Sequence, residues 1–279
     1  MIIWLASYPK SGNTLLRSIL SSYFLSNDGE FKFENLYQIS QFPLLKHFTS
    51  INVDINEDKA IFKNSINAQN FINKDKGKVR FFKTHSSFSK INNYNFTDFQ
   101  NTLGVIYVVR DPRNVVNSLA HHYNFSIDEA IDTMIDEKKF MSRTDKNAEV
   151  FAGSWNFNYY SWKNLDQHKK YFLIKYEDLI TNKKTIILKV FKFLNSLGMK
   201  FDIDMIKLNK VIKTTEFEEM KTLEQKETFT EAIIDEKTGR RKIFFNLGPK
   251  NDWRVNLDKK NKEKIEKAFC KEMEELGYL

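Results

Sequence analysis

Three short stretches hold the side chains that could do chemistry. The first is YPKSGNT, residues 8–14. It follows a short apolar run and precedes a helical pattern, which is the place of a phosphate-binding loop. Successive backbone N–H groups at a helix N-terminus attract anions, and Gly12 lets a ligand come close. Asn13 and Thr14 add side-chain donors, Ser11 lies between, and Lys10 reaches over the ligand from the start of the loop. The order differs from the common nucleotide loop, in which the second Gly is followed by Lys-Ser/Thr; here the lysine precedes the glycine. The second stretch, FFKTHSSF (81–88), sets Lys83 and His85 two residues apart at a strand end. Open α/β sheets bind ligands there, and a histidine with its ordinary pKa of about 6.5 can serve as a base near neutrality. Alone, the pair is a weak signal, and a surface histidine is the better reading. The third, residues 105–123, puts Arg110 at the end of an apolar run and Ser118 two turns into the next helix. Arg110 can clamp a phosphate bidentately or pair with Asp111. His121 and His122 are adjacent, cannot share a helix face, and read as structural.

The elements that position these residues alternate. Ile2–Ala6 reads as a buried strand, and Leu15, Leu16, Ile19, Leu20, Tyr23 and Phe24 recur at helical spacing after it. Residues 27–77 are irregular and partly helical. Val79–Lys83 and Val105–Val109 are further strands. Asp111 caps the next helix, with Pro112 in its first turn and Val115, Val116, Leu119 and Tyr123 on its apolar face. Trp155, Tyr159 and Trp162 fit another helix; they could rim a pocket, but such a stripe is more often core. Phe172–Tyr176 is a strand. Ile187, Val190, Phe191 and Leu194 form a helix face stopped by Gly198, and Ile265, Ala268, Phe269, Met273 and Leu276 a closing helix. Strands alternating with helices predict a parallel sheet covered on both faces, in one domain.

Composition narrows the partners. The chain has 279 residues, 41% hydrophobic, enough for a large core. Its net charge of +8 favours an anionic partner or a lysine-rich solvated surface. The 44 Lys and Arg are spread along the chain with no basic tail, which argues against nucleic acid. Cys270 is the sole cysteine, which fits a reducing compartment, and no signal peptide or membrane span is visible. A cytoplasmic protein is expected. No zinc-ligand pattern occurs.

YPKSGNT, KTH, RDPRNVVNS, YED (176–178), TTEFEEM (214–220) and GPKNDW (248–253) fall in the order seen in sulfotransferases that use 3′-phosphoadenosine 5′-phosphosulfate (PAPS). The chain resembles that family from Ile3 to about Trp253. The resemblance implies an α/β, P-loop-like parallel sheet with helices on both faces, in a single domain over 1–279, with no metal and no ATP. It implies that Lys10, Ser11, Gly12, Asn13 and Thr14 cradle the 5′-phosphosulfate, and that Arg110 and Ser118 hold the 3′-phosphate. Tyr176, Thr215 and Phe217 would line the adenine site, with Leu15, Leu247 and Gly248 at the remaining donor-binding positions. His85 would be the general base, and Lys83 and Lys10 would meet the moving sulfuryl group and the leaving phosphate. The acceptor would be a small molecule or a glycan bearing a hydroxyl or amine.

The resemblance departs in four places. Leu15 replaces a tryptophan that stacks on adenine. Asn246-Leu247 replaces Arg-Lys, leaving Lys250, Arg254 and Arg240-Arg241-Lys242 as neighbours that could supply the charge. Asn251 replaces the glycine before Asp-Trp, and Asp258-Lys259 replaces the centre of a dimerisation motif. The basic run Lys237–Lys242 reads either as a contact for an acidic glycan or as a loop over the donor. Two other readings stay open: a P-loop kinase-like phosphotransferase, and a non-catalytic nucleotide or polyanion binder.

Overall fold

In the computed structural model, described over residues 1–234 and 239–279, four strands form one fully parallel sheet. They are β1 (Ile2–Ser7), β2 (Arg80–Thr84), β3 (Thr102–Val109) and β4 (Tyr171–Lys175), in the spatial order β2-β1-β3-β4. The expected strands fall at these places with shifted ends. Tyr176 leaves the sheet and opens a short helix, Tyr176–Thr181.

Alternation along the buried strands sends side chains to opposite faces. On one face, Trp4, Ala6, Val105, Tyr107 and Val109 pack against α2 (Pro112–Tyr123), α3 (Ile127–Ile135), α4 (Trp155–Lys163) and α8 (Lys259–Glu275). On the other, Ile3, Leu5, Ile106 and Val108 pack against α1 (Asn13–Leu25), α5 (Lys183–Ser196) and α6 (Met205–Thr214). Trp155, Tyr159 and Trp162 are buried within the first core, so they rim no pocket. The Gly198 stop holds: α5 ends at Ser196, and Gly198 takes φ 95°.

A third, smaller cluster lies apart from the sheet. Phe31, Phe33 and Leu36 meet Met220 of α7 (Phe217–Lys226), Phe229 and Phe245. It docks the segment after α7 beside the start of α1, where Leu15 touches both this cluster and the second core. The irregular stretch 27–77 contributes short helices, Phe33–Gln38, Leu45–Thr49, Ala60–Lys63 and Ser65–Ile72. No helix among the described residues is long and apolar enough to cross a membrane.

The strand register aligns the carboxyl ends. Ala6 pairs with Thr84, Ser7 with Val108, and Val109 with Lys175, so all four strands end along one edge. Trp4 anchors that frame. It is fully buried, donates from Nε1 to Thr102 Oγ1 at 2.9 Å, and meets the rings of Phe42 and Phe96. Trp4→Ala is expected to cost about 3–5 kcal/mol of unfolding free energy, read from urea denaturation.

Candidate active site

The loop from β1 to α1 is shaped by two left-handed residues, Lys10 (φ 65°) and Gly12 (φ 101°). Gly12 caps α1 without a side-chain bond, so the first N–H groups of the helix have no intrahelical partner. A Cβ at Gly12 would lie 2.3 Å from the Tyr176 ring, so the position requires glycine for its backbone angle and for the close approach. Ser11 Oγ is buried with no hydrogen-bond partner. Asn13 differs from expectation. Its amide turns inward, donating to the Leu5 carbonyl at 2.7 Å and to Ser7 Oγ at 3.2 Å, so it pins the loop to its strand instead of facing a ligand. Among the described residues, the Thr14 side chain makes no such internal bond.

Lys10 brings its ammonium 4.0 Å from the centre of the Phe244 ring, a cation–π contact. Burial, with Lys83 and Arg110 adding to it against Glu231 and Glu224, pulls its pKa down to about 7. Glu224 accepts from the N–H groups of Phe244 and Phe245 at 2.6 and 2.9 Å and so holds that ring over the loop.

His85 follows β2. Its Nδ1 lies 2.8 Å from the Ser7 carbonyl. A carbonyl can only accept, so Nδ1 carries the proton and the neutral ring keeps its lone pair on Nε2. Burial first, then Lys83, pushes the ring down to about 3, well below the near-neutral value expected from its type. The imidazole is therefore neutral at pH 7. Lys83 is half-buried with its ammonium 3.4 Å from Glu231 Oε2, and Glu231 Oε1 is held by Arg17 at 2.6 Å.

Arg110 is buried, and its guanidinium lies 4.3 Å from the centre of the Tyr176 ring. Nη1 donates to Ser118 Oγ at 3.3 Å and to the Lys10 carbonyl at 3.4 Å, while Nε is buried without a partner. The alternative pairing with Asp111 does not form. Asp111 accepts from the Arg113 N–H and binds the Arg113 guanidinium at 2.7 Å. Arg113 also reaches Glu266 at 2.5 Å and the Tyr278 carbonyl at 2.8 Å. Glu177 accepts from the Asp111 N–H and from the Tyr278 hydroxyl, which makes it a brace for the turn presenting Arg110.

Ser118 Oγ also accepts from Asn251 Nδ2 at 3.0 Å, and Asn251 donates to the Asn114 carbonyl at 2.7 Å. With two donors on its oxygen, the Ser118 hydroxyl proton is left for an outside acceptor. Phe217 lies against Gly248 (φ 52°), where a Cβ would meet the ring at 2.2 Å. Thr215 departs from expectation: it has no exposed surface, and its hydroxyl donates to the Val211 carbonyl at 2.7 Å, so it presents no donor. Leu247 is exposed. Of the basic neighbours, Arg241 donates to the Phe229 carbonyl, Lys242 to the His121 carbonyl and Asn124, and Arg254 pairs with Asp252. Lys237 lies outside the described residues.

Four participants escape sequence reasoning: Glu231, Phe244, Asn251 and His122. The first three come from the far end of the chain; no local pattern marks Glu231 or Phe244, and Asn251 stands out only as the residue replacing the glycine before Asp-Trp. His122 was readable as an α2 residue one turn beyond Ser118. Its ring meets Phe244 edge-on at 6.0 Å, and burial together with Lys10 and Lys83 holds its pKa down to about 3. His121 points to the Ile243 carbonyl at 3.3 Å. Among the described residues, no three His, Cys, Asp or Glu side chains gather as a metal site would require.

The assembled edge thus offers backbone donors, two lysines, an arginine, a neutral histidine and two flanking aromatic rings. Of its orphaned polar atoms, Ser11 Oγ and Arg110 Nε can donate and suit a ligand with more than one anionic group, while Asn13 Oδ1 can only accept. Comparison with known proteins agrees. The model of the sulfotransferase domain matches residues 2–277. Dog sulfotransferase 1A1 is 25% identical over 98% of this chain and 83% of its own length. Among solved structures, a mouse sulfotransferase complexed with PAP has a TM-score of 0.61 at 21% identity, covering 98% of this chain and 84% of that one. A retinol dehydratase structure with androsterone and the inactive cofactor PAP has a TM-score of 0.57 at 15% identity, covering 98% and 80%. The chain belongs to the sulfotransferase family.

Proposed function

We propose that this sulfotransferase moves a sulfuryl group from PAPS to a hydroxyl or amine of a small-molecule or glycan acceptor, with His85 as general base. The observation that carries the reading is the convergence of Lys10, Lys83, His85 and Arg110 on one sheet edge around unpartnered Ser11 Oγ and Arg110 Nε. PAPS supplies an activated sulfuryl group bound to a phosphate leaving group. The N–H groups opening α1, with Lys10, hold the phosphosulfate end. Arg110 and the free Ser118 proton hold the 3′-phosphate, while Tyr176 and Phe217 flank the base. Leu15, in place of a large aromatic ring, offers contact but no stacking face.

His85 Nε2 takes the proton of the attacking hydroxyl, and its fixed Nδ1–H bond to Ser7 keeps the ring turned for that task. Its low basicity in the free protein comes from burial and the neighbouring lysines; anionic charge nearby acts in the opposite sense. Lys83 and Lys10 stabilise charge that grows as the sulfuryl group leaves. Thermal shift with 3′,5′-adenosine bisphosphate against ATP plus Mg²⁺, followed by transfer assays with labelled PAPS over hydroxyl and amine acceptors, tests the reading. Stabilisation by ATP alone, with dependence on Mg²⁺, would restore the kinase reading; bisphosphate binding without transfer would favour a binder.

Three outcomes are expected. His85→Ala lowers turnover by about 10²–10⁴, measured with any accepted acceptor, and leaves bisphosphate affinity nearly intact. Lys10→Ala weakens both bisphosphate binding and rate. The sign with pH comes from the Lys10 value of about 7. At pH 8 the free lysine is mostly neutral, whereas a bound anion favours its charged form, so binding takes up a proton and weakens as pH rises. Calorimetry in buffers of different ionisation enthalpy reads that uptake, which Lys10→Ala should remove. Finally, the bisphosphate should bind at least about ten-fold more tightly than 5′-AMP, since a charge-assisted bond contributes about 1.5–3 kcal/mol. Arg110→Ala should remove most of the gap; equal affinities in the unmutated protein would reopen the donor assignment.

A further inference from the structure

A carboxylate in the middle of an anion site needs a reason. Glu231 lies just beyond α7, in the segment docked by Phe229, and its two oxygens are divided between Arg17 and Lys83. Arg17 is itself immobilised, donating to the carbonyls of Ile39 and Leu36 from a fully buried position on α1. The carboxylate is therefore held in place from α1 and touches the end of β2.

A base role for Glu231 fails on the same geometry. Burial alone would raise its pKa, but Lys83 and Arg17 outweigh that and hold it far below the usual carboxylate range, with both oxygens engaged. A group so reluctant to accept a proton cannot take one from a hydroxyl. The effect of Glu231 on Lys83 is the more telling direction. The Lys83 side chain is only 12% exposed, and that burial favours loss of its proton. Every other charged or titratable neighbour identified around it adds to that or is neutral. Arg17 comes from α1, Lys10 from the loop, His85 from its own strand end and His122 from α2. Among the described residues, Glu231 is the carboxylate bonded to the Lys83 ammonium and opposes the loss.

We propose that Glu231 is a positioning residue for the transfer reaction, keeping Lys83 protonated and aimed while the sulfuryl site is enclosed. The proposal rests on the reading of Lys83 as a sulfuryl contact. It also gives the segment after α7 a chemical part: until Glu231 seats, Lys83 has the enclosure but not the counter-charge.

The test uses the full-length protein with 15N-labelled lysine, followed by NMR from pH 6 to 11, with Lys83→Met to assign the Lys83 signal. In Glu231→Gln, which can still accept from Arg17, the Lys83 midpoint is expected to fall by about one to three units, the range for losing an adjacent opposite charge. Glu231→Asp, which retains the charge, should restore most of it. Thermal unfolding run alongside shows whether the variants stay folded. An unchanged midpoint in folded Glu231→Gln overturns the proposal and leaves Glu231 a strut between α1 and β2. A separate arm checks the underlying reading: Lys83→Met should weaken PAPS binding relative to 3′,5′-adenosine bisphosphate in calorimetry. If both nucleotides bind Lys83→Met as they bind the unmutated protein, Lys83 does not meet the sulfuryl group. That result would be distinct from a failure of the NMR shift.

Discussion

Crowding of like charge is the constraint on which the site depends. Lys10, Lys83, Arg17 and Arg110 are brought toward one edge of the sheet, largely out of water, where repulsion between cations is weakly screened. Their compensation is uneven. Arg17 and Lys83 share the Glu231 carboxylate. Lys10 and Arg110 have aromatic faces instead, Phe244 and Tyr176. Such a face gives about 0.5–2 kcal/mol and leaves the formal charge uncancelled. The two cations that most need to meet a phosphate are thus the two left without a bonded carboxylate among the described residues, while the one paired lysine retains a partner that favours its charge.

Holding that arrangement falls to rigid parts some distance from the charges. The Asn13 amide fastens the loop to β1, Glu224 fastens Phe244, and Asn251 ties the segment after Gly248 to α2 at Ser118 and Asn114. Each uses polar bonds between neighbouring elements, of which only those of Asn251 cross more than a hundred residues. Preorganised dipoles of this kind need little rearrangement when charge moves, which is how an enclosed polar site lowers a barrier.

The framework was legible in the sequence because its signals are local. Uninterrupted apolar runs mark strands buried on both faces, and the strand-loop-helix order around Gly12 and the run ending at Arg110 placed their residues on one edge. Side-chain direction was less legible. Asn13 and Thr215 have donors that a ligand could use, but nearby carbonyls, Leu5 and Val211, claim them. The ordinary basicity of histidine gave no warning of its burial between lysines. Glu231, Phe244 and Asn251 enter through contacts spanning more than a hundred residues, which no spacing rule encodes. The short helices of 33–72 likewise owe more to packing than to propensity; at four to eight residues none would persist alone.

The Arg113 junction carries a consequence for how the protein comes to exist. The turn that aims Arg110 is braced by Asp111, Arg113 and Glu177, and that brace closes on both the carbonyl and the hydroxyl of Tyr278. During synthesis the loop, the sheet edge and α2 all emerge long before Tyr278 does. A nascent chain can therefore pair its strands while its anion site, and the α8 side of its first core, are still unfinished. The aim of Arg110 is thus completed only when Tyr278 docks, which makes the arrangement of the anion site the last of these steps rather than the first.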